Sequence, residues 1–381
     1  MALSKIDLAN MVENQMPQSL IADNINFRNI IINGDMSIAQ RSTSVSSITS
    51  STYNTIDRLF TGASSAGTWT QSQSTDVPTG QGFATSAKMD CTTANTSLGS
   101  SARLQITQYI EGQNLQYLKK GTSSAESTTL SFWVKSNKTG TYICELLDAD
   151  NSNRHINKSY TISSANTWEK KTITFAGDTT GAFGNDNARS LDVMFWLAAG
   201  SNFTSGTLDT SWGSTTTADR AVGQVNLADS TSNDWYITGV QLEAGTSASD
   251  FEFLPFDVNQ KRCQRYYFKT GGTSATAVGN ASKNFMNVLV HAGTDARGQF
   301  FRPTMMRASP TFAANGSFQI LGQINQSISS ASDITLADGG GVSLNMSALT
   351  CELPSGSTAG HNGILRANGD ADAFFEFISE L

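Results

Sequence analysis

Hydrophobic side chains recur at every second position along much of this chain. The clearest runs are residues 130–135 and 191–197, in which apolar and polar side chains alternate. A period of two is typical of a strand that is buried on one face only. Such runs recur between turn-forming residues, without a regular alternation of strands and helices, which predicts an antiparallel β-sandwich. The long connections between the runs favour a jelly roll.

Residues 233–256 are predicted to form the last strand of a large β domain. Ile237 and Val240 would face opposite sides of a regular strand, so we expect a bulge at Thr238-Gly239 that returns both to one side. A polar turn follows the strand. Three phenylalanines then form a second apolar patch that is expected to dock the chain on the domain: Phe251, Phe253 and Phe256.

The whole chain is predicted to be all-β, with two domains and a tail. The predicted boundaries are residues 1–28 for an N-terminal attachment tail, 29–256 for a jelly-roll β-sandwich, 257–269 for a hinge, and 270–381 for a second, smaller β-sandwich. The tail has loosely helical apolar positions that end at Pro17, and it is too short to form a stable helix alone. We expect it to be ordered only on a partner; the alternative is a frayed terminus.

Two local predictions concern the first domain. Residues 29–32 are expected to form a strand that leads into a turn at Asn33-Gly34-Asp35. Residues 113–120 are expected to form one or two helical turns that end at Gly121.

Charge and composition limit the kinds of partner that the chain is expected to bind. Lys and Arg number 25 against 32 Asp and Glu, which gives a net charge of −7 and argues against nucleic acid as a partner. Charged residues are only 15% of the chain, and a surface of hydroxyl and amide groups suits neutral ligands such as glycans, although any Ser/Thr-rich β protein shares it. Neither a membrane-spanning run nor a secretion signal is present, so no membrane insertion is expected. The four cysteines are expected to be free, buried thiols.

The sequence favours a binding protein over an enzyme. It contains only three histidines and none of the hydrolase, metalloprotease or phosphate-loop motifs. Residues 199–224 form a long polar loop in which a tryptophan stands apart from any strand pattern. Aromatic stacking combined with amide and carboxylate hydrogen bonds is the chemistry that holds a sugar, so five residues of this loop are the candidate ligand site: Trp212, Phe203, Asn202, Asp209 and Asp219. The alternative is that Trp212 fills a gap or an interface.

Five stretches of the chain carry a resemblance to a known family. They are NIIINGDMSIAQR, TLSFWVKSNKTGTYICELLD, NTWEKKTITFAGDTTG, WYITGVQLEAGTSASDFEFLPF and CQRYYF, and they cover most of residues 29–268. Together they resemble a β-sandwich module of phage tail-fibre-like proteins, notably from phages of marine bacteria and cyanobacteria. FFRPTMMRASPTF and GILRANGDADAFFEFISEL resemble the C-terminal head domains of the same proteins. NGDM and YITGVQL more distantly resemble jelly-roll carbohydrate-binding modules.

The resemblance implies a virion protein of the phage tail that is assembled in the bacterial cytoplasm. It would be a tail fibre or receptor-binding protein that attaches through its N-terminal tail to other tail proteins and binds host-surface glycans without catalysis. A non-adhesive decoration, neck or baseplate protein is the first alternative, and a surface-polysaccharide depolymerase the second. In the carbohydrate modules a structural calcium lies between the first turn and the last strand, at positions that match Asp35 and Glu243 here. No other cofactor is expected.

Assembly as a homotrimer is predicted from the last strand of the second domain. Phe374, Phe375 and Phe377 are close enough in sequence to place apolar side chains on both faces of one strand. A monomeric sandwich buries only one of those faces, so we expect a neighbouring copy to cover the other. Fibres of the resembled kind are typically threefold.

Overall fold

The protein forms two compact units. The computed structural model describes residues 27–271, 283–337, 343–354 and 356–381. The first unit contains residues 27–37 and 44–254, and the second contains residues 38–43 and the described residues from 255 onward. The predicted attachment tail lies outside the described residues except for Phe27 and Arg28.

The first unit is a sandwich of two six-stranded antiparallel sheets. Sheet I has the order β1-β4-β5-β12-β7-β10, with β1 Ser44–Ile48, β4 Thr68–Ser74, β5 Ser86–Thr93, β12 Asp234–Ala244, β7 Thr128–Ser136 and β10 Glu169–Phe175. Sheet II has the order β2-β3-β6-β11-β8-β9, with β2 Thr52–Tyr53, β3 Phe60–Ser64, β6 Arg103–Glu111, β11 Arg189–Ala199, β8 Gly140–Asp148 and β9 Arg154–Ile162. This confirms the predicted all-β sandwich of jelly-roll type.

The core of the first unit lies between the two sheets. Alternate residues of the long strands bury their side chains there, as Leu104 and Ile106 do on β6 and Leu130 and Phe132 do on β7. Burial of large apolar side chains is the main stabilising contribution to such a sandwich. The residues between these inward positions therefore point away from the core, and they form the outer faces of the sheets.

The predicted bulge in β12 is confirmed. The register of β12 against β7 shifts between Thr238 and Gln241. Gly239 has a φ of +62°, and a Cβ there would lie 2.5 Å from the Phe83 ring. Any larger residue would meet both the unfavourable backbone conformation and that ring.

Of two local predictions for the first unit, the strand was wrong and the helical turns were confirmed only in part. Residues 29–32 are not a strand but irregular chain with bends at Ile31 and Ile32, held to β12 by the hydrogen bond from Ile30 N to Leu242 O (2.9 Å). Residues 113–120 do not form an α-helix, and contain parts of two separate 3₁₀ turns, Gly112–Asn114 and Gln116–Leu118. Lys119 adopts a left-handed conformation (φ +50°) and ends the second turn, because that conformation cannot continue a helix.

The second unit is a smaller sandwich of a three-stranded and a seven-stranded sheet. Its three-stranded sheet has the order β13-β22-β16, with β13 Tyr267–Gly271, β22 Phe374–Ile378 and β16 Thr311–Asn315. Its seven-stranded sheet has the order β18-β17-β21-β14-β15-β20-β19, with β18 Gln326–Ile328, β17 Phe318–Gly322, β21 Asn362–Ala367, β14 Asn284–Ala292, β15 Asp295–Phe301, β20 Met346–Glu352 and β19 Ile334–Leu336. The residues predicted as a hinge lie in a helix, Phe256–Gln264, and at the start of β13.

The last strand of the second unit does not expose apolar side chains equally on both faces. Phe375 and Phe377 alternate onto one face and are fully buried in the core of that unit. Phe374 faces the other way and is half-buried, and the Lys269 ammonium lies 4.1 Å from its ring centroid. The structural premise for a covering neighbour is therefore corrected, because two of the three rings already lie within one chain.

Two further expectations can be compared with the described residues. All four cysteines, Cys91, Cys144, Cys263 and Cys351, are free and buried, as predicted. Among the helices of the described ranges, none combines the length and the apolar character that crossing a bilayer requires.

Candidate functional site

The outer face of sheet II brings together most of the chemistry of the first unit. On its central strand β6, the outward side chains are those of Arg103, Gln105, Thr107 and Tyr109, which alternate with core residues. β11 lies beside β6, so that Asp192 pairs with Tyr109, Met194 with Thr107, and Trp196 with Gln105. On the other side of β6, Phe60 of β3 pairs with Thr107. Side chains from three strands therefore meet on one surface.

One half of this face is covered by a segment that we call the strap, residues 199–224. The strap begins with a single helical turn, Ser201–Thr204, whose Phe203 packs on Trp196 with a ring separation of 5.2 Å. Ile143 and Ala221 complete this small apolar cluster. A backbone bridge between His155 and Gly213 adds the strap to the edge of β9. The strap is thus packed and hydrogen-bonded onto β8, β9 and the end of β11.

A buried ion network lies under the strap. Arg220 of the strap donates two hydrogen bonds to Glu145, from Nε to Oε1 (2.8 Å) and from Nη2 to Oε2 (3.0 Å). The Trp196 Nε1 donates to the same carboxylate (2.9 Å). The two ring nitrogens of His155 lie 3.1 Å from Glu145 Oε1 and 2.8 Å from Asp209 Oδ2. An imidazole with a carboxylate at each nitrogen donates to both only when it is doubly protonated.

The network shifts the pKa values of its members. Burial alone would lower the pKa of His155, but the hydrogen bonds and charges of Glu145 and Asp209 outweigh it and raise that pKa. Burial alone would raise the pKa of Glu145, but its bonds to His155, Arg220 and Trp196 hold it below the usual range. Both groups are therefore stabilised in their charged forms. Because Arg220 and Asp209 belong to the strap, the network fixes the strap to sheet II, and we call the Arg220–Glu145 pair the clamp.

The other half of the face, which we call the open half, carries a row of aromatic side chains. Tyr53 contacts Phe60 at a centroid separation of 5.2 Å, and Phe60 contacts Tyr109 at 5.3 Å. All three rings are half-buried, so part of each ring meets solvent. We call Tyr53, Phe60 and Tyr109 the aromatic row. Rings held by their neighbours form a rigid surface for a flat ligand.

A guanidinium group lies at one end of the aromatic row. The Arg189 guanidinium lies 4.2 Å from the Tyr109 ring centroid, and its Nε donates to Asp192 Oδ1 (2.6 Å). The Arg189 side chain is 41% exposed, whereas Asp192 is 1% exposed. Burial raises the pKa of Asp192 to about 6, against the lowering effect of Arg189. Burial also raises the pKa of Tyr109 to about 12, so its hydroxyl is neutral and able to donate.

Two polar atoms on the open half have no hydrogen-bond partner within the described protein. They are Oγ1 of Thr107, a residue only 1% exposed, and Oε1 of Gln105. Gln105 Nε2 has only a weak acceptor, the Met194 sulfur at 3.5 Å. Unsatisfied polar atoms at a partly buried surface cost stability unless a ligand or solvent satisfies them. Both atoms are themselves shielded from solvent, so the accessible surface of the open half consists of the three rings and the Arg189 guanidinium.

The structure places all five ligand residues predicted from the sequence within the strap. Asp209 and Asp219 come together through the hydrogen bond from Asp209 N to Asp219 O (3.3 Å). The Asp219 carboxylate accepts from Thr207 N (2.7 Å), which stabilises the strap itself. Asn202 is exposed at the start of the strap. Phe203 is turned inward and only 7% exposed, so its ring offers no face for stacking.

Trp212 is anchored rather than projecting into solvent. Its Nε1 donates to Ala176 O (2.7 Å), and its ring packs on the core of the first unit. The Lys120 ammonium lies 5.5 Å from the ring centroid. The indole is half-buried, so its role as a ligand residue stays a prediction, while its packing role is visible in these contacts.

Of the two positions predicted to hold calcium, Glu243 is already engaged by protein donors, and the calcium site stays a prediction. The Glu243 carboxylate accepts from Ser249 N (2.9 Å), Ser249 Oγ (2.7 Å) and Gln241 Nε2 (2.9 Å), and the Arg28 guanidinium lies 3.7 Å away. Its charge and lone pairs are thus already used. The Asp35 carboxylate accepts from Ser37 Oγ (3.0 Å). Over the ranges that the structure describes, no three His, Cys, Asp or Glu side chains are grouped to hold a metal.

The outer face of sheet I also carries aromatic rings, but its charges are arranged differently. Tyr236 of β12 lies between two lysines, with the Lys135 Nζ 4.3 Å and the Lys88 Nζ 5.5 Å from its ring centroid. Lys135 forms an ion pair with Asp76, and Asp76 also accepts from Trp168 Nε1 (3.0 Å). Lys88 lies 2.9 Å from Asp90 Oδ1. Acidic and basic groups therefore meet at the surface of this face.

The chain is similar to several solved structures, all at low sequence identity. No protein-family model matches the chain, and no match is found among curated protein sequences. Similar solved structures include a putative sugar binding protein from Bacteroides thetaiotaomicron (12% identity, TM-score 0.30, 57% of this chain and 99% of that one). TmCBM61, solved with β-1,4-galactotriose, has 8% identity and a TM-score of 0.24, with 57% of this chain and 99% of that one covered.

A phage protein is also among the similar structures. It is the enzymatically active domain of tailspike protein 4 from bacteriophage CBA120, with 17% identity and a TM-score of 0.28. The match covers 57% of this chain and only 21% of the tailspike chain. These values assign the chain to no family.

Proposed function

We propose that the first unit binds a glycan on the open half of sheet II. The observation that carries this proposal is the aromatic row of three half-buried rings with the exposed Arg189 guanidinium beside it. A pyranose ring has an apolar face that packs on an aromatic ring and an edge of hydroxyl groups that exchange hydrogen bonds. The rings supply the apolar partner, and the exposed Arg189 guanidinium supplies hydrogen-bond donors at the end of the row.

The strap determines how far the proposed site extends. It covers Trp196 and the buried ion network, so a ligand reaches the aromatic row but not the other half of the face. The clamp between Arg220 and Glu145 keeps the strap in that position. The proposed site is therefore a short surface that suits a few sugar units or a side branch.

Binding measurements on a matched pair of variants test the proposal. Tyr109→Ala removes the ring at the Arg189 end of the aromatic row, whereas Trp168→Ala removes a half-buried ring from the outer face of sheet I. We expect Tyr109→Ala to weaken glycan binding about tenfold, since one aromatic contact contributes about 1–1.5 kcal/mol, and Trp168→Ala to leave it unchanged. Glycan arrays would find the ligand and calorimetry would measure its affinity.

Tyr109→Phe separates stacking from folding, because it keeps the ring and removes only the hydroxyl. Binding within a few-fold of the native protein is expected for this variant. Equal binding by the native chain and Tyr109→Ala, with both folded, would exclude the open half as the site.

The virion context is a further part of the proposal and rests on the sequence resemblance. In this proposal the chain is a tail fibre or receptor-binding protein without enzymatic activity, assembled in the host cytoplasm as a homotrimer and attached through residues 1–28 to other tail proteins. Host-surface glycans would then be its ligands. Light scattering on the purified chain tests the trimer, and immunolabelling of intact particles tests the location. A stable monomer or a location away from the tail would contradict the respective part.

A further inference from the structure

The charges on the open half suggest which glycans it prefers. Two basic side chains lie on this face at opposite ends of β6: Arg189, 41% exposed, beside the aromatic row, and the half-buried Arg103, opposite Ala199. The two carboxylates that face the same half, Asp192 and Glu111, are 1% and 0% exposed. A ligand that approaches this surface therefore meets guanidinium groups and not carboxylates, although the whole chain has a net charge of −7.

Arg189 is placed to meet a ligand that stacks on the aromatic row. Its guanidinium lies 4.2 Å from the Tyr109 ring centroid, and Tyr109 contacts Phe60. A sugar ring on either aromatic ring thus has its substituents near the guanidinium. Guanidinium groups bind carboxylates through paired, charge-assisted hydrogen bonds, which neutral hydroxyls match only weakly.

Asp192 orients Arg189 from below. Asp192 accepts from Nε and Nη2 of Arg189, and these two bonds hold the guanidinium beside the Tyr109 ring. Glu145 and Arg220 of the clamp also act on Asp192, one raising and the other lowering its pKa. Because Asp192 already balances part of the arginine charge, its removal makes more of that charge available to a ligand. Asp192 is in this sense a positioning residue.

We infer that the open half prefers acidic glycans, in which a carboxylate of a uronic-acid unit pairs with Arg189. This inference rests on the proposed glycan site. It deepens the proposal by naming the charge of the ligand.

Matched pairs of glycans that differ only in charge provide the test. Oligogalacturonate and its methyl ester share one backbone, and hyaluronan and glucuronan can each be compared with their carboxyl-reduced forms. We expect the acidic member of at least one pair to bind the native chain about tenfold more tightly than its neutral partner, since a charge-assisted hydrogen bond is worth about that factor. The preference should decrease as salt is added.

Three variants connect the preference to the residues. Arg189→Gln should remove the difference between acidic and neutral members, and Lys135→Gln on the outer face of sheet I should leave it unchanged. Asp192→Asn keeps the shape of the side chain and frees the guanidinium, so we expect it to strengthen binding of the acidic member several-fold. A merely structural role for Arg189 and Asp192 would not give opposite changes in the two variants.

The outcomes separate this inference from the proposal beneath it. Equal affinity for both members of every pair, or binding of neutral members only, would overturn the acidic preference while leaving the glycan site intact, provided Tyr109→Ala still loses binding. A preference that survives in Arg189→Gln would also overturn the inference. Absence of binding to every member would overturn both.

Discussion

The two outer faces of the first unit both carry a basic side chain beside a tyrosine, but they differ in where the acidic partner lies. On sheet I, Lys88 and Lys135 flank a tyrosine and form ion pairs with acids that are themselves accessible. On sheet II, Arg189 flanks a tyrosine, but its partner Asp192 is buried beneath the surface. The difference teaches that the position of the counter-charge, rather than the number of charges, decides what a ligand meets. Surface pairs are screened by water, whereas a buried carboxylate depends on its partners for stabilisation.

The largest loss of stability is expected on substitution of Glu145, the buried carboxylate of the network on sheet II. Glu145→Ala leaves Arg220, His155 and Trp196 without their shared acceptor. We expect the free energy of unfolding of the first unit to fall by about 3–5 kcal/mol, as for other broken buried pairs. Urea denaturation followed by tryptophan fluorescence measures it.

Asp76→Ala is the matched control on sheet I. Its carboxylate accepts from Lys135 and Trp168 but is partly exposed, so a loss of about 1 kcal/mol or less is expected. Equal losses for Glu145→Ala and Asp76→Ala would refute the distinction between the two faces.

An intermediate effect is expected at Trp212, which the sequence singled out as a ligand residue. Its hydrogen bond to Ala176 and its packing on the core predict that Trp212→Ala costs about 1–3 kcal/mol of stability. Thermal melting and glycan binding should be measured together. An unchanged melting temperature with lost binding would restore the ligand role and contradict the packing role.

The smallest expected effect is the dependence of stability on pH. The pKa of His155 is raised in the folded state, so its contribution is fully present below about 6.5, the ordinary value, and is lost as pH rises through the raised value. The pKa of Asp192 is raised to about 6 in the folded state, which therefore disfavours the ionised carboxylate. Ionisation of Asp192 thus also lowers the stability as pH rises from about 4 to 6. Glu145 acts oppositely, because its lowered pKa makes stability fall when the carboxylate is protonated in acid.

Melting temperatures of the native chain and His155→Gln between pH 6 and 9 measure the histidine contribution. We expect the native chain to lose several degrees on the alkaline side and the variant to lose less. Parallel curves for the two proteins would show that His155 does not titrate in this range.

The sequence allowed the sandwiches to be predicted but not the site. Strands such as β7 and β11 could be found because alternation records which side chain faces the core. The same alternation also marks the outward positions, which Tyr109 and Asp192 occupy, but it does not show which outward side chains form a site. Glu145 and His155 lie ten residues apart, and only the β8–β9 pairing and the fold of the strap bring Arg220 and Asp209 to them. Such contacts depend on tertiary packing, which no local pattern encodes.

The strand order has a consequence for synthesis on the ribosome. In the first unit the last strand, β12, lies in the middle of sheet I between β5 and β7, and in the second unit β22 lies between β13 and β16. Neither sheet can be completed until its final strand has left the exit tunnel, and pairing across so many residues is slow. A nascent chain that stalls before either strand would expose unpaired strand edges to chaperones and proteases. A truncated product that lacks the last strand of a unit therefore cannot form the stable fold of that unit.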